Sequence, residues 1–553
     1  MRHKSVTFDL QHQAMRKKPR RQSWKRNLIA AFTLLAAGRG LCADSTNSLS
    51  GNDALLDLFV KKGYVTQDEA NQVKAEAAQQ TNNPSALSEK APAWSLVPGI
   101  KNMELFGDVR LRYEGRTAED PHGGKIELNR LRFAVRIGLR GDAFDGFYYG
   151  VRLETAANPR SPWVTIGSST SGSPYQGPFG KSTFGINFGQ AYLGWHWDDY
   201  VNITAGKMPN YLYTTPMIWD NDLNPEGFFE RFKYTVGQVD LFATFGQFVY
   251  EDTNPTDTAG GYFNPVTTTS SSLPFLLAWQ LGFNYHVTQK VNIKAAPVLY
   301  QYEDIHTQMP GNNGGVGPDF DGTFVGQGQV VGINGVPASY NLATSGQPGF
   351  DGFYANQTGL NDLLIIDVPF ELNVKMDTLD LRFFGDYAYN LHGSARATAA
   401  YNASKSSYFT TGLGGPNLID PIPSAQTSNV KAYQFGIGIG TDGIDYGPEQ
   451  GLVYGTQSLK HGWEFRTYWQ HVEQYALDPN LMDSDFFEGR GNLEGIYAAM
   501  TYALSDNVLA TVRYGHANRI NNNLGTGGSN QDIPQMNPIN KYSIVQVDAS
   551  LRF

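Results

Sequence analysis

The sequence predicts an all-β fold: a transmembrane antiparallel β-barrel of about 16 strands (range about 14–18), preceded by a short helical segment. Three observations lead to this fold. From residue 103 onward, segments of about ten residues alternate apolar and polar side chains, as strands with one apolar face do. The connections between these segments are alternately short and long. No segment beyond the N-terminal region reaches the ~18 apolar residues of a spanning helix.

Residues 1–43 are expected to be a signal peptide. A strongly basic region precedes the apolar run 28–37, which is half the ~20 residues that a spanning helix needs. The only cysteine, Cys42, leaves with this segment, so the mature chain has no disulfide, thiol nucleophile or Cys metal site. Removing the segment's net charge of +9 from the chain's −9 leaves −18, which argues against a nucleic-acid partner.

Residues 44–98 are expected to form a periplasmic helical hairpin and a linker. Within 52–80, Thr66 and Glu69 fit a capping box, and Gly63 suits the end of a helix. Asparagines and prolines over 81–98 mark the linker. The hairpin is either a simple pair of helices with an apolar stripe or a module for oligomerisation or cell-wall contact.

The barrel occupies residues 99–553. Its predicted strands lie at about 103–115, 130–140, 149–154, 185–197, 200–208, 226–236, 238–249, 276–287, 290–302, 361–375, 379–391, 431–440, 462–473, 494–504, 507–517 and 542–553. Seven long loops, the longest at 303–360, alternate with turns of a few residues, the pattern of an outer-membrane barrel. One connection on the short side, 441–461, is longer than a turn.

Charged residues on the polar faces indicate a wet interior. Arg130, Arg132, Arg136 and Arg140 share one face of one strand, and each would cost roughly 2–4 kcal/mol against hydrocarbon. A barrel of about 16 strands leaves an aqueous lumen that such side chains can face. Because lipid does not tolerate open sheet edges, the last strand, 542–553, should pair with the first.

Two groups of charges are candidates for the lumen. The predicted pore-lining residues are Arg110, Arg112, Arg130, Arg132, Arg136, Arg140, Arg152 and Glu154. The predicted constriction loop carries Asp220, Asp222 and Glu226, and we expect it to fold inward and face the arginines. Opposed charges would then create a field that orients polar solutes. Alternatively, the arginines pair locally with neighbouring carboxylates and the loop lies outside.

Catalytic, metal and cofactor sites are not expected. The segments Asp220–Asn224 and Asp483–Glu488 resemble calcium loops, but neither has glycine at the sixth position, so we interpret them as exposed acidic turns. No Gly-x-Ser-x-Gly or His-Glu-x-x-His pattern occurs. We therefore expect that the protein is not an enzyme.

Several segments of the chain resemble the "putative porin" family of Gram-negative outer-membrane barrels. They are 55–66, Leu105–Tyr113, Asn129–Leu139, Gly206–Asn210, Trp219–Gly227, Phe383–Asn390 and Asp483–Phe486. The resemblance implies a bacterial outer-membrane porin, in contact with lipid, that forms a water-filled channel for passive diffusion of small hydrophilic solutes. The rival function is an adhesin or envelope anchor, which the long loops and N-terminal helices would suit.

Two further expectations come from resemblance. Phe553 and Leu551 end an alternating strand, and a terminal aromatic of this kind is a signal for the outer-membrane assembly machinery. A more distant similarity to general porins, which are 16-stranded trimers with an infolded third loop, implies a homotrimer.

Overall fold

The computed structural model describes residues 100–553 apart from 122, 157–160, 168–184, 251–274, 304–362, 405–422, 442–459, 527–531, 534–535 and 537. The expected signal peptide (1–43) and helical segment (44–98) lie outside the described residues. In the part that is described, no helix has the length and hydropathy needed to cross a bilayer.

Sixteen antiparallel strands form the barrel. They are β1 (Glu104–Glu119), β2 (Lys125–Asp142), β3 (Phe147–Ala156), β4 (Gly185–Trp197), β5 (Val201–Lys207), β6 (Glu226–Val236), β7 (Val239–Val249), β8 (Phe275–His286), β9 (Val291–Ala295 and Val298–Glu303), β10 (Leu364–Asp367 and Phe370–Lys375), β11 (Leu379–Asn390), β12 (Lys431–Thr441), β13 (Trp463–Val472), β14 (Leu493–Ser505), β15 (Val508–Arg519) and β16 (Lys541–Arg552). A two-residue strand, Val164–Thr165, also pairs with β2. A 3-10 turn (Phe144–Gly146) and one helix, α1 (Gly393–Ser404), complete the described elements.

Strands β9 and β10 are each interrupted at a proline. Pro297 and Pro369 have no backbone N–H to donate to the ladder. The carbonyls remain in use, since Leu281 donates to Pro297 at 3.1 Å and Ala296 donates to Pro369 at 3.1 Å. Each interrupted pair therefore still crosses as one strand, and the predicted count of about 16 is confirmed.

The last strand closes the barrel on the first. Strands β1 and β16 are paired from Asp108 opposite Arg552 to Glu119 opposite Lys541. The terminal residue extends this ladder, because Gly107 donates to the Phe553 carbonyl at 2.8 Å and Phe553 donates back at 3.1 Å. The predicted closure is confirmed, and the sheet has no free edge at this seam.

The first hairpin is tighter than the sequence suggested. Strands β1 and β2 extend to Glu119 and from Lys125, so only five residues connect them. The Asp120 carboxylate accepts a hydrogen bond from the backbone of Gly124 at 2.7 Å, and Gly123 has a φ of +86°, which glycine adopts without strain. This connection is a short turn at the end of the barrel that otherwise carries long loops.

The two faces of the wall differ as the alternation predicts. On β16, Val545, Val547 and Leu551 are exposed on the outer face, whereas Gln546 and Asp548 are buried on the inner face. The same division holds around the barrel, with apolar and aromatic side chains outside and amide, hydroxyl and charged groups inside. An apolar outer band with a polar interior is the arrangement of a membrane-spanning barrel.

Candidate functional site

The loop 208–225, which connects β5 to β6, enters the barrel. Its apolar side chains, including Met208, Leu212 and Trp219, are buried. The backbone of Tyr213 donates to the Gln280 side chain on β8 at 2.8 Å, and Thr215 donates to the Asp386 carboxylate on β11. The loop therefore reaches the inner wall well beyond the two strands that it connects.

A second loop, 473–492 between β13 and β14, also enters the barrel and meets the first. Asp220 donates from its backbone to the Leu481 carbonyl at 2.6 Å, and Asp483 donates to the Pro216 carbonyl at 3.0 Å. The backbone N–H of Ser484 donates to the Asp220 carboxylate at 3.2 Å. These hydrogen bonds join the two loops inside the lumen.

The interpretation of Asp483–Glu488 as an exposed acidic turn was wrong. Phe486 and Phe487 are buried, with their ring centroids 4.3 Å apart, and Phe486 packs against Tyr468 on β13. Glu488 is buried as well and pairs with Arg490 at 3.1 Å. Two adjacent phenylalanines were the available signal, because an exposed acidic turn rarely carries such a pair.

Arg490 holds the second loop, 473–492, to the next loop along the chain, which connects β15 to β16. Its guanidinium is fully buried and donates to the carbonyls of Thr526, Ile533 and Met536 at 2.6–3.1 Å. A guanidinium with several carbonyl partners has fixed geometry. The loop that reaches into the lumen is therefore tied firmly at its base.

The predicted pore-lining residues lie on the inner faces of β1, β2 and β3, a surface that we call the arginine wall. Local ion pairs occur, among them Arg136 with Asp108 at 2.6 Å and Arg152 with Glu154 at 3.0 Å. Arg130 likewise pairs with Glu114, at 2.7 Å. Contacts across to the loops occur as well.

Three loop aspartates contact the arginine wall, one of which, Asp532 in the loop between β15 and β16, lies 2.6 Å from Arg130. The other two belong to the infolded loops. Arg136 lies 3.6 Å from Asp222 on the first loop, and Arg112 lies 2.8 Å from Asp485 on the second. The Arg112 guanidinium also stacks on Trp163, 4.0 Å from the ring centroid, while Arg132 lies 5.9 Å from it. The loops thus present negative charge directly to the arginine wall.

Three of the predicted residues lie apart from these contacts. Asp220 is buried behind Ser484 at the junction of the two loops. Glu226 is the first residue of β6, is exposed and pairs with Lys207. Arg140 pairs with Glu104 at 2.9 Å near the short-turn end of the barrel, where both side chains are exposed.

A cavity of about 90 Å³ remains where the loops face the wall. The strands supply its guanidinium groups, and the two loops supply its carboxyl groups. Its charged lining consists of Arg110, Arg112, Arg466, Arg513, Asp220, Asp222, Asp483 and Asp485, and its aromatic lining of Trp163, Tyr468 and Tyr497. Arg466 and Arg513 lie on β13 and β15, and periodicity alone did not single them out.

The loop carboxyl groups differ in their affinity for protons. Burial, together with the negative charge of Asp485, raises the pKa of Asp483 to about 7. Burial also raises the pKa of Asp220, with the nearby Asp483 and Asp222 carboxyls adding to the effect. Burial acts the same way on Asp485, but Arg112 and Arg116 outweigh it and lower the pKa of Asp485 to about 2. Asp485 is therefore the most firmly ionised of the three near neutral pH.

Among the described residues, no three His, Cys, Asp or Glu side chains converge in a way that could hold a metal ion. The carboxyl groups at the loop junction are instead occupied by backbone amides and guanidiniums. Asp220 and Asp483, for example, each accept from the backbone two residues further on, Asp222 and Asp485.

The predicted assembly residues lie at the short-turn end of the barrel wall. Leu551 is opposite Val109 on the outer face and is about half exposed. The ring of Phe553 is exposed to a similar extent and lies close to Gly107, where a Cβ atom would come within 2.9 Å of it.

A family model and several solved structures are similar to this chain. A family model described as "Putative porin" matches residues 122–553. No curated protein matches the sequence. Similar solved structures include an anion-selective porin from Comamonas acidovorans, which is 9% identical over 82% of this chain and 99% of that chain with a TM-score of 0.37. OprB of Pseudomonas putida at high pH is 10% identical over 82% of this chain and 94% of that chain, with a TM-score of 0.40.

The family match covers most of the sequence and nearly all of the barrel, from the start of β2 to the terminal residue. The closed 16-stranded wall, with its apolar outer face and charged inner face, is the fold expected of an outer-membrane porin. The chain therefore belongs to the family described as "Putative porin" and is an outer-membrane β-barrel of the porin type.

Proposed function

We propose that the protein forms a water-filled channel for passive diffusion of small hydrophilic solutes across the bacterial outer membrane. The observation that carries the proposal is the uneven exposure of charged groups inside the barrel. Side chains between the arginine wall and the loops still reach solvent, with Arg110 21% and Asp485 29% exposed. Arg112 beside them is 3% exposed, and Arg382, on the wall that the first loop covers, is 2% exposed. We therefore place the passage beside Arg110 and Asp485.

The narrowest part of this passage lies between the arginine wall and the two loops. Arg110, Arg112, Arg130, Arg132, Arg136 and Arg152 would line one side, and Asp222 with Asp485 the other. Opposed charges in a narrow, partly desolvated space produce a transverse field that favours polar over apolar solutes. The contacts of Arg136 with Asp222 and of Arg112 with Asp485 support this arrangement.

The remaining parts of the proposal concern assembly and surroundings. Phe553 and Leu551 would be recognised by the outer-membrane assembly machinery before the barrel closes. Residues 44–98 would lie in the periplasm after the signal peptide is removed. The barrel would work as a homotrimer in contact with outer-membrane lipid, and the small solutes would be its only ligands, with no chemistry performed on them.

The proposed function is tested by reconstituting the full mature protein into planar bilayers in KCl solution. Discrete conductance steps are the expected result. A folded barrel that inserts but stays electrically silent would contradict the proposal and favour the adhesin or envelope-anchor function. Heat-modifiable migration in SDS gels, which reports a closed barrel, serves as the control for folding.

A further inference from the structure

We propose that the cavity between the two infolded loops and the strands is a binding subsite for small zwitterionic solutes, molecules with one carboxylate and one ammonium group. The inference rests on the proposed channel function and specifies which hydrophilic solutes the channel favours. It follows from the separation of charge within the cavity, from its size and from the rigidity of its walls.

The positive side of the cavity is carried by the barrel wall. Arg110 and Arg112 project from β1, Arg466 from β13 and Arg513 from β15. Because the strands are fixed by their ladders, these guanidiniums have fixed positions. They can receive a carboxylate through paired N–H donors.

The wall keeps an excess of positive charge near the cavity because its carboxylates are shared. Asp108 accepts from both Arg110 and Arg136, at 2.9 and 2.6 Å. Asp548 likewise accepts from both Arg112 and Arg513. Two strand carboxylates therefore serve four guanidiniums, and Arg112 and Arg136 also contact the loop carboxylates Asp485 and Asp222. Arg110 and Arg513, whose side chains are 21% and 19% exposed, are the guanidiniums that a solute carboxylate can reach.

The negative side of the cavity is carried by the loops. Asp222 comes from the loop 208–225, and Asp483 and Asp485 come from the loop 473–492. The hydrogen bonds between Asp483 and Pro216 and between Ser484 and Asp220 hold the two loops together, so these carboxyls form one surface. An ammonium group facing this surface would meet acceptors of the right charge.

This division of charge discriminates between classes of solute. A simple anion pairs with the guanidiniums but lies close to the loop carboxylates, which repel it. A simple cation pairs with the loop carboxylates but lies close to the guanidiniums, which repel it. A zwitterion with the two groups a few ångströms apart satisfies both sides at once. Placing like charges close together costs free energy in a partly desolvated site, so both the simple anion and the simple cation bind less well than the zwitterion.

The size and the remaining lining of the cavity limit the solute further. Its volume of about 90 Å³ compares with the ~30 Å³ that one water molecule occupies in the liquid. Trp163 covers Arg112, and the rings of Tyr468 and Tyr497 stack with centroids 4.8 Å apart. The space fits an amino acid with a very small side chain, such as glycine.

The test compares fluxes of four solutes of similar size into liposomes that contain the reconstituted full chain. They are glycine, glycolate, ethanolamine and ethylene glycol, which are respectively zwitterionic, anionic, cationic and neutral at pH 7. After the flux into protein-free liposomes is subtracted from each measurement, glycine should enter faster than ethylene glycol by roughly fivefold, the ratio that corresponds to about 1 kcal/mol. A channel that conducts KCl but passes glycine no faster than ethylene glycol would overturn the subsite. A channel that does not conduct KCl at all would overturn the proposed function and the subsite with it.

Two variants locate the effect in the cavity. Asp222→Asn should abolish the preference for glycine and raise the flux of glycolate, whereas Arg110→Gln should abolish it and raise the flux of ethanolamine. The matched control is Asp145→Asn, which removes the same charge from an exposed turn remote from the cavity in sequence. Retained KCl conductance shows that each variant has assembled. Persistence of the glycine preference in both cavity variants would overturn the assignment.

Discussion

Removing the charge of Asp485 is the sharpest perturbation of the proposed constriction. Its carboxylate lies 2.8 Å from the Arg112 guanidinium and is 29% exposed, so in the proposed channel it would contribute to the field that a passing ion meets. Asparagine has nearly the same shape, and its side-chain oxygen can still accept from Arg112. Arg112 also keeps Asp548 at 2.8 Å and the face of Trp163, so we expect the fold to survive.

The size of the effect follows from Coulomb's law. An ion passing about 6 Å from Asp485 interacts with its charge by roughly 0.7 kcal/mol at the dielectric constant of water and by roughly 2.8 kcal/mol at an effective value of about 20. Salt screening reduces the larger figure. An effect of about 1 kcal/mol on each ion would raise the chloride permeability and lower the potassium permeability about fivefold each, so their ratio would shift roughly 25-fold in favour of chloride.

The assay is the reversal potential of reconstituted channels in a KCl gradient. Asp485→Asn should move the reversal potential toward the chloride equilibrium potential. Glu226→Gln is the control, because Glu226 is exposed and paired with Lys207 and lies outside the contacts at the wall. An unchanged reversal potential in the Asp485 variant, or a shift toward potassium, would refute this account of the constriction.

Four further perturbations have expected outcomes of their own. With the pKa of Asp483 at about 7, raising the pH from 6 to 8 adds negative charge to the cavity and should shift permeability toward cations; Asp483→Asn should remove this pH dependence. The same pKa of Asp483 lies above the ordinary aspartate value of about 3.9, so between about pH 3.9 and 7 the folded state binds more protons at this group than the unfolded state does. The contribution of Asp483 to the free energy of unfolding, measured by urea titration, should therefore fall as the pH rises through that range. Arg490→Met breaks a fully buried ion pair and should destabilise the loop 473–492 by roughly 3–5 kcal/mol, which chymotrypsin would detect as new cleavage after Phe486 or Phe487, whereas wild-type protein should resist. Deleting Phe553 should lower the amount of assembled barrel in the outer membrane while leaving the conductance of assembled channels unchanged; normal surface levels would count against its role as an assembly signal.

The barrel could be predicted from the sequence because each membrane strand alternates apolar and polar residues over one short segment. On β16, apolar and polar residues alternate strictly enough that Val547 and Asp548 could be assigned to opposite faces from the sequence alone. The arginines of β2 reinforced the assignment, since four guanidiniums on one face are incompatible with hydrocarbon. The first hairpin was less clear, because its tight turn depends on Asp120 and two glycines rather than on periodicity.

The position of the second infolded loop could not be predicted from the sequence in this way. Its position depends on contacts with Pro216 and Asp220, more than 250 residues earlier in the chain, and no local pattern reports such contacts. The acidic residues suggested exposure, whereas Phe486 and Phe487 pointed to burial, and only the packing against Tyr468 decides between them. Arg466 and Arg513 joined the site for the same non-local reason.

Single-channel conductance in planar bilayers tests the central claim most directly, with the wild type beside a variant in which a short glycine-serine linker replaces residues 211–223. The loop contacts predict that the wild type conducts in discrete steps and that the variant conducts more, because the first of the two joined loops no longer narrows the lumen. A silent wild-type barrel, or equal conductance in the two proteins, would contradict the account.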